Sequence, residues 1–203
     1  DGRPTFRYTL LDAVRHVPPY LVNPVSLDAR TEITTQMLAD AGYVVTVPAD
    51  EDGEETEIRF ERKDFERRFF SPETNLSFVR CFLEHAARDP ITEEIGKTIF
   101  FAVSRAHATR LVQALNEEAA RQWPEAYGAG SAFAVQITSD VARAQQMTVQ
   151  FAQNNLNGKS RWRADAFRDY DTSRTRICVT VGMMTTGYDC EDLLNVVLAR
   201  PVM

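Results

Sequence analysis

The sequence predicts an α/β fold, a mostly parallel central sheet flanked by helices. Three observations carry that expectation. Apolar, β-branched or aromatic runs at 98–103, 133–138 and 177–181 have the continuous character of strands buried on both faces. Segments of helical period lie between them, with Ala108, Leu111, Val112 and Leu115 on one face of the first. Ser104 follows the first run, and Ser139 or Asp140 the second, each placed to cap the next helix. Strands alternating with helices imply parallel pairing, because only a long crossover reaches a parallel neighbour.

In chain order, 5–10 alternates weakly as Phe6, Tyr8 and Leu10, a short strand leading into a helix at 11–16 that Pro18-Pro19 ends. Tyr20-Leu21-Val22 reads as a strand, 31–41 as a helix closed by Gly42, and 43–47 as a β-branched strand. The acidic run 50–57 around Gly53 reads as a solvated hairpin tip returning through 58–60, since its spacing is not that of an EF-hand. Pro72 opens a helix to 87 with Leu76, Val79, Leu83 and Ala86 on one face. Helices are expected at 105–118 and 141–152, loops at 128–131 and 154–159, and a short helix at 161–170. The segment 177–190 starts as a strand, breaks into hydroxyl-bearing residues and turns at Gly187-Tyr188-Asp189 before a final strand at 195–201. Such a loop lines a phosphate or nucleotide site, or it is an ordinary crossover in which Gly187 only completes a turn. The chain thus divides into an entry segment at 1–26, an insertion or helix plus hairpin at 27–70, and a sheet domain at 71–203.

At 203 residues, 44% hydrophobic and 26% charged, the chain can bury a core. A net charge of -6 argues against a free-standing nucleic-acid binder, though not against a local basic groove. Cys81, Cys178 and Cys190 form no CxxC, and a reduced intracellular compartment, the cytoplasm, is expected. No membrane span or signal peptide is legible. The start at Asp1 and the stop at Met203 read as a fragment of a longer chain.

Gly96-Lys97-Thr98 and Gly158-Lys159-Ser160 end like phosphate loops, but Ile91 and Gln153 replace the leading glycine, and the first precedes a strand instead of following one. The histidines His16, His85 and His107 lack metal spacing, and His107 reads as a helix-surface residue. Cys190 as the nucleophile of a small-molecule enzyme has no histidine near it in sequence. What remains are polar groups at strand ends: Ser104 and Arg105, Thr138 and Ser139, and 180–189. In a parallel sheet these line one rim, where hydroxyls and helix amides suit phosphodiester oxygens and Asp189 suits ribose hydroxyls. Plain helix capping is the alternative for each.

The stretch 97–108 (KTIFFAVSRAHA) resembles motif IV of superfamily 2 helicases and translocases, 180–189 resembles motif V, and 196–201 the strand after it. The wording is closest to the motor (R, or HsdR) subunit of type I restriction enzymes, whose segment past motif III also resembles 6–14 and 19–22. The resemblance implies a second RecA-like domain, three-layered, within an ATP-driven translocase of double-stranded DNA. It implies DNA-backbone contacts at Ser104, Arg105, Thr180, Thr185 and Thr186, and an ATP-cleft role for Gly187 and Asp189. It further implies a first RecA-like domain in the same parent chain, methyltransferase and specificity subunits as partners, and ATP with Mg²⁺ held by residues outside this chain. Motif VI is absent before Met203, so no catalytic residue is expected here and the chain alone should be inactive. A non-catalytic RecA-like interaction module, or a half-domain of another superfamily 2 DNA or RNA helicase, is the alternative.

Overall fold

The computed structural model describes residues 8–26, 72–128, 130–164, 167–185 and 187–199. Contacts divide the chain into two compact units, 1–46 and 47–203, and each is treated by itself. The expectations for 27–70, and for 5–7 of the first strand, lie outside the described residues.

In the first unit, helix α1 (Leu10–Arg15) starts at a capping box: Thr9 accepts from the Asp12 amide, and the Asp12 carboxylate accepts from the Thr9 amide at 2.7 Å. The strand expected at Tyr20-Leu21-Val22 does not form. Tyr20 and Val22 are exposed, and the Tyr20 amide returns to the Ala13 carbonyl at 2.9 Å instead of entering a ladder. Apolar residues without a pairing partner do not make a strand.

The second unit is the α/β sheet domain. After α2 (Pro72–His85) come β1 (Lys97–Ala102), α3 (Arg105–Gln122), β2 (Ala134–Gln136), α4 (Ala144–Ala152), the hairpin β3 (Lys159–Ala164) and β4 (Phe167–Ser173), then β5 (Ile177–Thr180) and β6 (Leu193–Ala199). The four-stranded sheet runs β2-β5-β1-β6 with every pair parallel. β1 and β5 are central and buried at every position, which explains their unbroken apolar runs.

Alternation along these strands divides the core. Phe100, Ala102, Ile177 and Val179 face α2 and α3, packing with Val79, Leu83, Leu111 and Leu115. Ile99, Phe101 and Cys178 face the other way, toward Phe151 of α4 and Met184 of the β5–β6 crossover. Helices cover both faces, so the unit has three layers, as expected of an α/β RecA-like fold. Gly96 permits the closest approach: a Cβ there would stand 2.7 Å from the Ala87 carbonyl and 2.6 Å from Leu194.

Two secondary-structure expectations fail in this unit. Residues 161–170 are not a helix but most of the antiparallel β3–β4 hairpin, in register as Arg161↔Asp171 and Trp162↔Tyr170. Arg161 and Arg163 alternate with Trp162 and Ala164, which is the two-residue period of a strand, and the Asn157-Gly158 pair ahead of them takes positive φ. The helix expected from 141 begins at Ala144 with Arg143 as its N-cap, in left-handed geometry and without a side-chain capping bond. Asp140 is engaged elsewhere, with Thr138 and Arg105, and the amides of Val141 and Ala144 close two tight turns first.

Candidate functional site

All four parallel strands point their C-terminal ends the same way, so the segments after β1, β2 and β5 share one rim. Ser104 caps α3, its Oγ accepting from the His107 amide at 3.2 Å. Arg105, next in chain, reaches the segment after β2: its guanidinium donates to Ser139 Oγ at 3.1 Å and pairs with the Asp140 carboxylate at 3.3 Å. Thr138, Ser139, Ser104 and Arg105 are thus brought together as the strand-end argument requires. The Asp140 carboxyl is held below the usual carboxylate range, first by the Thr138 hydroxyl, then by its own backbone amide and by Arg105.

The segment after β5 behaves differently. Thr180 is fully buried, and its Oγ1 accepts from the Met183 amide at 3.1 Å, closing the turn that ends the strand. Thr185, Gly187 and Asp189 are exposed; Thr186 lies outside the described residues. The Tyr188 amide bonds the Thr185 carbonyl at 3.0 Å with Gly187 at φ +82°, so this glycine does complete a turn. Nothing stands within 4 Å of where its Cβ would be, so a ligand can approach that backbone closely. Beyond the turn the chain descends over the α4 face: Tyr188 OH bonds the Thr148 carbonyl of α4 at 2.8 Å, and Asp192 pairs with Lys97 at the start of β1 at 2.7 Å. Asp189 lies on this descending limb between the two anchors.

Among the described residues, no group of three His, Cys, Asp or Glu side chains could hold a metal ion, and no helix is long and apolar enough to cross a membrane. His107 is not a surface residue. It is buried, its Nδ1 facing the Val103 amide at 3.3 Å and its Nε2 facing Asn75 Oδ1 at 3.1 Å, and burial lowers its pKa to about 4. Burial pushes the Cys190 thiol up, which works against a nucleophilic role.

Comparison with known proteins gives one relevant likeness. The chain is 25% identical over 209 residues to the type I restriction enzyme EcoKI endonuclease subunit of Escherichia coli (strain K12). The match takes in 99% of this chain and 16% of that relative, so the chain spans about a sixth of its length. No family model and no solved structure matches.

Two buried cations escaped the sequence reading. Lys97 of the first phosphate-loop lookalike is 1% exposed; its Nζ donates to the Phe151 carbonyl, to Asn154 Oδ1 at 2.9 Å and to Asp192, and sits 4.6 Å over the Phe151 ring. Arg176, also 1% exposed, donates to the Ile95 carbonyl at 2.7 Å, to Thr172 and to Asp89 at 3.3 Å. Both sit at the N-terminal end of the sheet. The only sequence signal was position, a long cation abutting a fully apolar strand, and their partners lie up to 95 residues away.

Proposed function

We propose that the chain is a RecA-like domain from the motor part of a type I restriction enzyme R subunit, contributing DNA-backbone contacts and one wall of an ATP cleft. The observation that carries the reading is the rim itself: Arg105 after one strand is joined to Ser139 and Asp140 after another, with the Ser104 cap preceding Arg105 in the chain. The likeness to the EcoKI subunit across nearly the whole chain points the same way.

In this reading Ser104, Arg105, the exposed Thr185 and Thr186 next to it in the chain meet phosphates, which suits a motor because phosphates carry no sequence information. Thr180 acts from behind, holding the turn that presents the crossover. Gly187 and Asp189 face nucleotide, the bare glycine backbone allowing close approach. ATP supplies the driving hydrolysis, with its phosphates and Mg²⁺ held by a preceding RecA-like domain of the same parent. Closure of two such domains on nucleotide and reopening afterwards would let each grip DNA in turn. Methyltransferase and specificity subunits would complete the assembly with double-stranded DNA in the cytoplasm.

Arg105→Ala tests the reading. Binding to double-stranded DNA should weaken at every sequence alike, and the slope of log affinity against log salt should fall by about one. An unchanged slope would remove Arg105 from the interface. In the full-length parent, Asp189→Ala should depress DNA-stimulated ATP turnover without unfolding the protein.

A further inference from the structure

We propose that a cavity at the N-terminal end of the sheet, away from the rim, binds a phosphate-bearing small ligand of mononucleotide size, with Arg174 holding the phosphate. The cavity is about 310 Å³, at the low end of the roughly 300–1,000 Å³ of small-molecule sites. Arg174 connects β4 to β5, and its backbone is fixed at both ends. Its amide donates to the Gly158 carbonyl at 3.1 Å, and its carbonyl accepts from Tyr127 OH at 3.3 Å. Arg174 is one of the residues lining the cavity and is exposed, and no guanidinium donor has a partner among the described residues.

The rest of the lining favours an anion. It includes no carboxylate, although the chain carries 29 Asp and Glu against 23 Lys and Arg. The opposite wall is the glycine-containing loop, where Gly130 at φ +82° has open space around it, so a ligand can come close to the backbone. The neutral Asn157 donates its amide to Thr175. Tyr127 supplies an aromatic wall, braced edge-on by Phe133 with ring centroids 4.8 Å apart, against which a base can pack. An exposed guanidinium on an anchored backbone, beside a neutral wall and a braced ring, matches a phosphate joined to a flat apolar body.

Calorimetric titration of the protein with AMP, with inorganic phosphate and with a short single-stranded oligonucleotide separates the sources of that phosphate. Saturable AMP binding, competed by inorganic phosphate, is expected. Arg174→Ala should weaken it at least tenfold, Arg174→Lys should recover part of the loss, and Arg105→Ala should leave it unchanged. Unaltered circular dichroism would show that the exposed substitutions leave the fold intact. The proposal is overturned if neither AMP nor phosphate saturates, or if binding follows Arg105 instead of Arg174. It is overturned equally if only the oligonucleotide binds through Arg174, which would assign the cavity to a nucleic-acid backbone. None of these outcomes depends on motor activity.

Discussion

The two ends of the one parallel sheet are built on opposite principles. At the N-terminal end two cations are sealed in, and their donors are turned onto the protein's own carbonyls and carboxylates. At the C-terminal end Arg105 is exposed, and its contacts are with Ser139 and Asp140, both exposed themselves. The difference teaches where charge serves folding and where it is available for binding. A buried ion pair leaves an uncompensated charge when one partner goes, whereas an exposed pair hands both partners back to water. Lys97 and Arg176 form a fixed base, whereas the Arg105 rim is a surface that can exchange partners.

The largest expected effect follows from that contrast. Arg176→Met removes the cation facing Asp89, whose side chain is only 4% exposed, and unbinds the Ile95 carbonyl and Thr172. Removing one partner of a buried pair costs about 3–5 kcal/mol, which urea denaturation would read as a lower midpoint. Tyr170 OH also bonds Asp89, at 2.7 Å, so the β3–β4 hairpin should loosen with it. Arg105→Ala at the other end should shift stability by no more than about 0.5 kcal/mol. Equal losses from the two substitutions would erase the contrast between the ends.

Lys97→Met comes second. Its partner Asp192 keeps 28% of its side chain exposed and can recover water, so a loss of about 2–3 kcal/mol is expected. The same substitution frees the foot of the crossover that carries Gly187 and Asp189. Hydrogen exchange should therefore quicken at 187–192 more than in β1, and exchange rising only in β1 would mean that the crossover is held by something else.

His107 gives a third test, at the junction of α2 and α3. The Val103 amide faces Nδ1 as a donor, so Nε2 carries the proton toward Asn75 Oδ1 and the ring is held neutral. The unfolded chain takes up a proton near pH 6.5 and the folded one only near 4, so the unfolded state binds more protons between those values. Stability is full above pH 6.5 and declines as pH falls toward 4, by at most about 1.4 kcal/mol per pH unit. Denaturation midpoints at pH 7 and pH 5 measure the slope, and His107→Gln should flatten it.

How much of this was legible in the sequence depends on the reach of each interaction. β1, α3, β2 and β5 were readable because their apolar periods and the Ser104 cap are local. Arg105 and Ser139 were readable as rim residues because parallel topology alone puts strand ends together. Lys97 and Arg176 were not, since cations beside strands look solvated until partners far along the chain arrive. His107 was misplaced because an isolated helix does not reveal that Asn75 of another helix covers that face. The hairpin at 159–173 was missed because its alternation is between charged and aromatic residues, so it lacks the apolar run that marked the buried strands.

The smallest expected effect concerns Asp140 and bears most directly on function. Its carboxylate lies 3.3 Å from Arg105, and both side chains are substantially exposed, 60% for the arginine and 45% for the aspartate. A phosphate approaching Arg105 therefore meets a resident anion already in place. Asp140→Asn keeps the size of the side chain and its capacity to accept from Thr138 while removing the charge. An exposed charge pair is worth up to about 1 kcal/mol, so the substitution should leave stability nearly unchanged and tighten DNA binding by about threefold at low salt. The gain should fade as salt rises, because screening weakens the pairing by which Asp140 competes with phosphate for Arg105. Since Asp140→Asn and Arg105→Ala act on one pair, the double variant should bind about as weakly as Arg105→Ala alone. If Asp140→Asn still tightened binding without Arg105, the carboxylate would be repelling DNA directly, and phosphate recognition would belong to another part of the rim.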